Sequence, residues 1–316
     1  MKPRSIFRAL SALTIFTAGA VCLSHAQIST QNSEKHSIIG ARAGALGDAL
    51  VADYLDATSM YWNPATLVRT RRQALNANFA VEANEFRDLL FTENLTLPLP
   101  VAMNWGLGVG LTMTHVGEIV TDSLKGLKFS ILKIDLAGAR GFGNFFSIGA
   151  GLAMRYAQGG GRQITAFSGT LGLFYIPNPV MSYGVSYQGL GEEVNFSVDN
   201  NTTILGQAPM QQSLQLGVAV RVRHGDYSRF TLTVVSQKIL KQTGILYKAG
   251  VEVLPTSFLA LRLGYWAGSN SAAARYGVGL ILGDFVVDYA LAPSKLEPRY
   301  HQVSLSYNLQ KRTGRQ

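Results

Sequence analysis

Few residues in this chain are placed to do covalent chemistry. Beyond the first 26 residues the histidines are His36, His115, His224 and His301, and no two stand at the spacing of metal ligands. Ser186 lies in Gly184-Val185-Ser186-Tyr187-Gln188-Gly189. That is one residue off the spacing of a nucleophile elbow, in a stretch whose alternation predicts a strand and not a strand-to-helix turn. Gly159-Gly160-Gly161-Arg162 lacks the Lys-Ser/Thr with which a glycine loop holds phosphate. Cys22 is the single cysteine and sits in an N-terminal apolar run, so the rest of the chain offers no disulfide, thiol nucleophile or thiolate metal site. No catalytic residue, metal or cofactor is expected, and the chain does not read as an enzyme.

The charges that stand out fall among small residues within otherwise apolar stretches. They are Asp135, Arg140, Arg155, Arg221, Arg223, Arg262 and Asp288. Buried singly they would be costly, so pairing or hydration inside a lumen is expected. A network bracing an inserted segment is favoured here over a substrate path. The formal net charge of +9 is scattered, without a basic cluster interleaved with aromatics, so a nucleic-acid partner is not expected.

The elements that position these charges alternate with a period of two. Val303, Leu305, Tyr307 and Leu309 alternate with Ser304, Ser306 and Asn308, and Leu214, Leu216, Val218, Val220 and Val222 oppose Gln215, Gly217, Ala219, Arg221 and Arg223. One face is large and apolar, the other Gly, Ala, Ser and an occasional Arg. A soluble sandwich would turn Lys, Glu and Thr outward instead. Large apolar side chains facing lipid and small or polar ones facing a lumen are the pattern of a transmembrane barrel. With 316 residues, 47% hydrophobic and only 15% charged, the chain is too apolar for disorder. It also has no apolar run of 18 residues past the N-terminus, which argues against helical membrane spans.

Fourteen alternating segments follow residue 72, at 73–81, 86–97, 102–115, 128–141, 144–157, 164–176, 181–190, 211–223, 229–238, 245–254, 258–267, 274–282, 284–292 and 300–309. Their connections alternate long and short, apart from a short first one, as outer loops and periplasmic turns do. The expected fold is therefore all-β: a 14-stranded antiparallel transmembrane barrel over 73–310, with a small, partly helical N-terminal hatch over 27–72 and a polar tail at 311–316. Lys2, Arg4 and Arg8, the apolar run Ala9 to Leu23, and Ser24-His25-Ala26 read as an export signal over 1–26. Tyr175, Tyr183, Tyr187, Tyr265 and Tyr289, near segment ends on the apolar register, suit an interfacial girdle. An export signal, β-patterning and the absence of cysteine beyond that signal are the profile of a Gram-negative outer-membrane protein, so outer-membrane lipid is an expected partner.

Residues 28–72 do not alternate. Gly40 to Asp56 is alanine-rich with Leu46, Ala49 and Leu50 at helical spacing, and Pro64 pushes Asn63 out of the helical region. The Asn63 side chain is expected to satisfy backbone groups near Pro64. Gly40-Ala41-Arg42-Ala43, Ala45-Leu46-Gly47, Ala49, Val51-Ala52, Asp56-Ala57 and Trp62-Asn63-Pro64-Ala65-Thr66-Leu67 resemble the N-terminal signature of the PorV/PorQ family, within the larger group of FadL-type outer-membrane barrels. Phe258 to Tyr265, Phe285 to Leu291 and Val303 to Tyr307 resemble the same family. Asp48, where the family often has a second glycine, and Lys311 to Gln316, beyond the last strand, depart from it.

The resemblance implies a fourteen-stranded barrel with an N-terminal hatch, carried here by Gly40, Arg42, Leu46, Gly47, Asp56, Asn63, Pro64 and Ala65. It also implies one of two roles. PorV-type members belong to type IX secretion, receiving exported proteins by their C-terminal signal domains alongside other secretion components, and FadL-type members pass long-chain fatty acids or other hydrophobic molecules. The spacing from Gly40 to Leu67 leans toward secretion. The longest outer loop, Gly191 to Met210, with Glu192, Glu193, Phe196 and Ile204, would then meet the exported protein.

Overall fold

A computed structural model describes residues 39–70, 74–83, 89–102, 104–121, 124–159, 162–191, 194–195, 207–208, 211–224, 228–268, 272–292 and 299–308. The expected export signal, the polar tail, and Glu192, Glu193, Phe196 and Ile204 lie outside them. Fourteen strands close into a barrel. The first seven are β1 (Ala74–Ala83), β2 (Leu89–Ala102), β3 (Trp105–Thr121), β4 (Leu124–Phe142), β5 (Phe146–Gly159), β6 (Arg162–Tyr175) and β7 (Met181–Gly191). The second seven are β10 (Ser213–His224), β11 (Ser228–Ile239), β12 (Leu246–Leu254), β13 (Leu259–Ala267), β14 (Ala272–Leu282), β15 (Phe285–Ala292) and β16 (Arg299–Asn308). Between the two halves, β8 (Val194–Asn195) and β9 (Gln207–Ala208) pair only with each other, inside the connection from β7 to β10. Barrel neighbours are antiparallel throughout, and Ala74 opposite Asn308 closes the ring.

Closure follows from the alternation. Leu107, Val109, Leu136, Leu152, Leu216, Val234 and Leu305 are exposed on the outside, while Asn78, Asn94, Thr96, Ser182, Thr233 and Ser304 are buried inside. Among the described residues each barrel strand is hydrogen-bonded to a neighbour on both sides, with a few local register shifts, which meets the demand lipid makes on a spanning sheet. The turns after β4, β6, β12 and β14 share one mouth, and the longest connection, 192–212 between β7 and β10, lies at the other. By the rule that outer-membrane barrels turn their long loops outward, the first is taken as the periplasmic mouth. Tyr175 and Tyr183 stack near that mouth, ring centroids 6.2 Å apart.

Three local expectations are corrected. Residues 116–127 are mostly strand, not loop: β3 runs on to Thr121 and β4 begins at Leu124, with Ile119 opposite Leu127. The β-branched Ile119-Val120-Thr121 extends the pairing beyond the apolar band that defined the expected strand. Pro98 to Val101 is not a turn but the end of β2; the pairing shifts between Pro100 and Ala102, and a prolyl nitrogen is tolerated beside such an irregularity. Finally, the helix expected over Gly40 to Asp56 is only α1 (Ala41–Ala45). Gly47 and Asp48 take φ of 65° and 58°, a left-handed turn that ends it.

Candidate functional site

Residues 39–70 lie inside the barrel. After α1, Asp56 caps a short 3-10 helix at Ala57–Tyr61, its carboxylate accepting from the Thr58 N–H at 2.7 Å. Asn63 caps a second at Pro64–Val68, with Pro64 in the first turn, where its missing N–H costs nothing. The Asn63 carboxamide does three things: its oxygen accepts from the Ala65 N–H at 3.1 Å, and its nitrogen donates to the carbonyls of Val51 and Leu173, both at 2.9 Å. It satisfies the backbone beside Pro64 and also ties the segment to β6. Leu46, Leu50, Val51 and Trp62 pack with Val235 of β11.

The wall facing this segment is largely glycine. A Cβ at Gly106 would strike Leu67, at Gly149 the Pro64-Ala65 peptide, at Gly184 the Val51 carbonyl, at Gly250 Leu46, and at Gly277 Ala45. The missing side chains are filled by the inserted backbone, a close approach that no other residue type allows.

Charge does the rest of the anchoring. Arg42, on α1, reaches Glu252 of β12 (Nε to Oε2, 2.8 Å), Asp53 (2.8 Å) and Asp56 (3.4 Å). Asp53 is also bound by Arg221 of β10 at 2.9 Å, and Arg221 donates to the Ala52 carbonyl and the Ser182 hydroxyl. Glu252 collects Arg229 at 3.1 Å and Arg262 at 2.8 Å, and Arg262 passes on to Asp288 at 2.7 Å. These four arginines and four carboxylates balance, as burial out of water demands. Burial alone would raise the Asp53 carboxyl, but Arg42 and Arg221 outweigh it and hold the group down at about 2. Asp48 differs: burial pushes its carboxyl up, only partly opposed by Arg275, 3.6 Å away, and by Lys248.

A second anchor lies across the lumen. The Tyr61 hydroxyl accepts from the Asn94 amide at 2.9 Å, Lys133 sits 5.3 Å over the Tyr61 ring, and Lys133 pairs with Asp135 at 2.8 Å. Burial first, then Asp135, pushes the Tyr61 phenol up to about 12, so it stays protonated.

The structure brings Arg42, Asp56, Arg221, Arg262 and Asp288 into one network, and places Asp135 and Arg155 together on the opposite wall. Gly40 precedes α1 with φ 79°, and Gly47 abuts the Tyr265 backbone. Two expected lumen charges are corrected. Arg140 points outward, in step with exposed Leu136 and Phe142, because strand parity places it opposite to Asp135. Arg223 keeps the lumen register but is exposed at the end of β10, past the reach of the network. Sequence reasoning passed over Asp53, Glu252, Arg229, Lys248, Arg275, Lys133 and Tyr61. The alternation Lys248, Gly250, Glu252 on β12 carries the signal for two of them; Asp53 stands in irregular chain and carries none. Ser186 is buried on the lumen side of β7, on a strand as expected.

No known protein family matches the chain, and neither does any curated protein. Solved structures do match in fold. A monoaromatic hydrocarbon channel, CymD, aligns with a TM-score of 0.63 at 14% identity, covering 87% of this chain and 99% of that one. The Ralstonia pickettii toluene transporter TbuX gives 0.60 at 13%, covering 86% and 98%. A Pseudomonas aeruginosa FadL homologue gives 0.54 at 11%, covering 85% and 98%. None of these favours the secretion-associated branch over the channel branch. The chain is a closed, fourteen-stranded antiparallel β-barrel of the outer-membrane type, similar in fold to CymD, TbuX and the FadL homologue.

Proposed function

We propose that this protein passes hydrophobic small molecules across the outer membrane, in the manner of the channels whose fold it shares, with residues 39–70 as the hatch that closes the barrel. The supporting observation is architectural: the alignment spans nearly the whole of a hydrocarbon channel and a toluene transporter. The segment inside is held by ion pairs and hydrogen bonds, contacts that can be exchanged for others without breaking the chain. The test is uptake. A deletion strain should lose entry of labelled toluene or long-chain fatty acid and regain it with the intact gene, while secretion of proteins bearing C-terminal signal domains continues. Unchanged uptake with failed secretion would overturn this reading in favour of the secretion role.

A further inference from the structure

The outward turn of Arg140 leaves a cation on the membrane-facing surface beside the periplasmic mouth. Its guanidinium lies 5.3 Å from the Trp105 ring and 5.5 Å from the Phe142 ring, both of them exposed. Two aromatic faces hold the charge in place without neutralising it. At the adjoining turn, Arg69 of the inserted segment donates to the Gly143 carbonyl at 3.4 Å. One pleat further into the membrane, Gly138 of β4 stands beside Ala150 of β5, between Leu107 and Leu171 on the flanking strands. Leu107 and Leu171 are exposed, so two small residues leave a shallow apolar gap directly above the cation.

We propose that this surface is a seat for a glycerophospholipid of the periplasmic leaflet. Arg140 takes the phosphodiester, Trp105 and Phe142 flank it at the depth where amphipathic rings favour the interface, and the Gly138–Ala150 gap takes the first part of an acyl chain. An arginine on the lipid face costs little at the edge of the bilayer but several kilocalories at its centre, so its placement here suits a headgroup partner. The inference needs only the membrane setting and stands whatever the barrel carries.

Trp105 provides the readout. It is 48% exposed, whereas Trp62 and Trp266, the other tryptophans, are buried at 4% and 2%. Detergent-solubilised full-length protein is titrated with phosphatidylglycerol carrying brominated acyl chains, and the quenching of indole fluorescence is followed. Half-maximal quenching should need about fivefold more lipid in Arg140→Gln, the effect of one interfacial arginine. Gly138→Val should weaken binding with Arg140 intact; a Cβ there meets only a Leu107 methyl at 3.5 Å, so the barrel tolerates it. Lys238→Gln, on an exposed lysine at the opposite mouth, should match the parent. Equal quenching by brominated diacylglycerol, or an Arg140→Gln variant that is heat-modifiable on gels like the parent yet binds unchanged, would overturn the seat. Displacement by millimolar inorganic phosphate would also overturn it, by making the site one for free phosphate.

Discussion

Replacing Arg42 by Met removes the guanidinium that joins the inserted segment to the wall while keeping an unbranched, apolar side chain on α1. Three carboxylates lose a partner, but not equally. Glu252 keeps Arg262 at 2.8 Å and Arg229 at 3.1 Å, and Asp53 keeps Arg221 at 2.9 Å. Asp56 keeps only its hydrogen bonds from Thr58, at 2.7 and 2.6 Å. Breaking a buried pair costs about 3–5 kcal/mol when a charge is stranded, and the remaining arginines bring this case to the low end, about 3 kcal/mol. If that energy holds the segment in place, its local opening becomes about 100-fold more frequent. Hydrogen exchange reads this directly at the amides of Gly44 and Asp48, which bond to the carbonyls of Gly40 and Ala43 at 3.0 Å. Their exchange should quicken about 100-fold while strand amides and heat-modifiable mobility stay as in the parent. Exchange within threefold of the parent would refute the network as the anchor, and equal loosening of the strands would make it a brace of the wall alone.

Asn63→Ala removes three hydrogen bonds worth about 1 kcal/mol each, so the same amide exchange should rise by roughly two orders of magnitude and single-channel current should become noisier. In Gly184→Val the new side chain meets the Val51 carbonyl, so the segment must shift and the conductance in planar bilayers should rise, with the barrel still assembled. Acid should loosen the segment over a defined window. Asp53 titrates at about 2 in place and near 4 in an unfolded chain, so its contribution, about 2 kcal/mol, is complete above about pH 4 and fades toward pH 2. Conductance flat from pH 8 to 5 and rising below 4 is the expected result, measured with an acid-stable lipid.

The strand count was legible because lipid outside and a crowded lumen inside impose opposite demands on alternate residues. Where both faces are small, that contrast vanishes. Ala137-Gly138-Ala139-Arg140-Gly141 gives no local parity, and only counting from Ile134 and Leu136, both exposed, turns Arg140 outward. The ends of the long strands were hidden for a related reason, since β3 and β4 continue beyond the apolar band on which the alternation rests. In the inserted segment the Asn-Pro pair was readable from stereochemistry, because proline constrains its predecessor whatever surrounds it. The partners of Arg42 were not, since Glu252 lies 210 residues away and only the closed ring brings the two together.

The glycine-lined wall has a consequence for how such a sequence can change over generations. Each bare position is half of a fitted pair whose other half is a small or backbone-exposing residue far away in the chain: Ala45 with Gly277, Ala65 with Gly149, Val51 with Gly217. Enlarging either half spoils the fit, and only a matching reduction in the other restores it. The two regions are therefore bound to drift together. An insert transplanted from a distant barrel of the same strand number would meet side chains where this one meets none, so exchange between relatives should succeed only when wall and insert are moved as one.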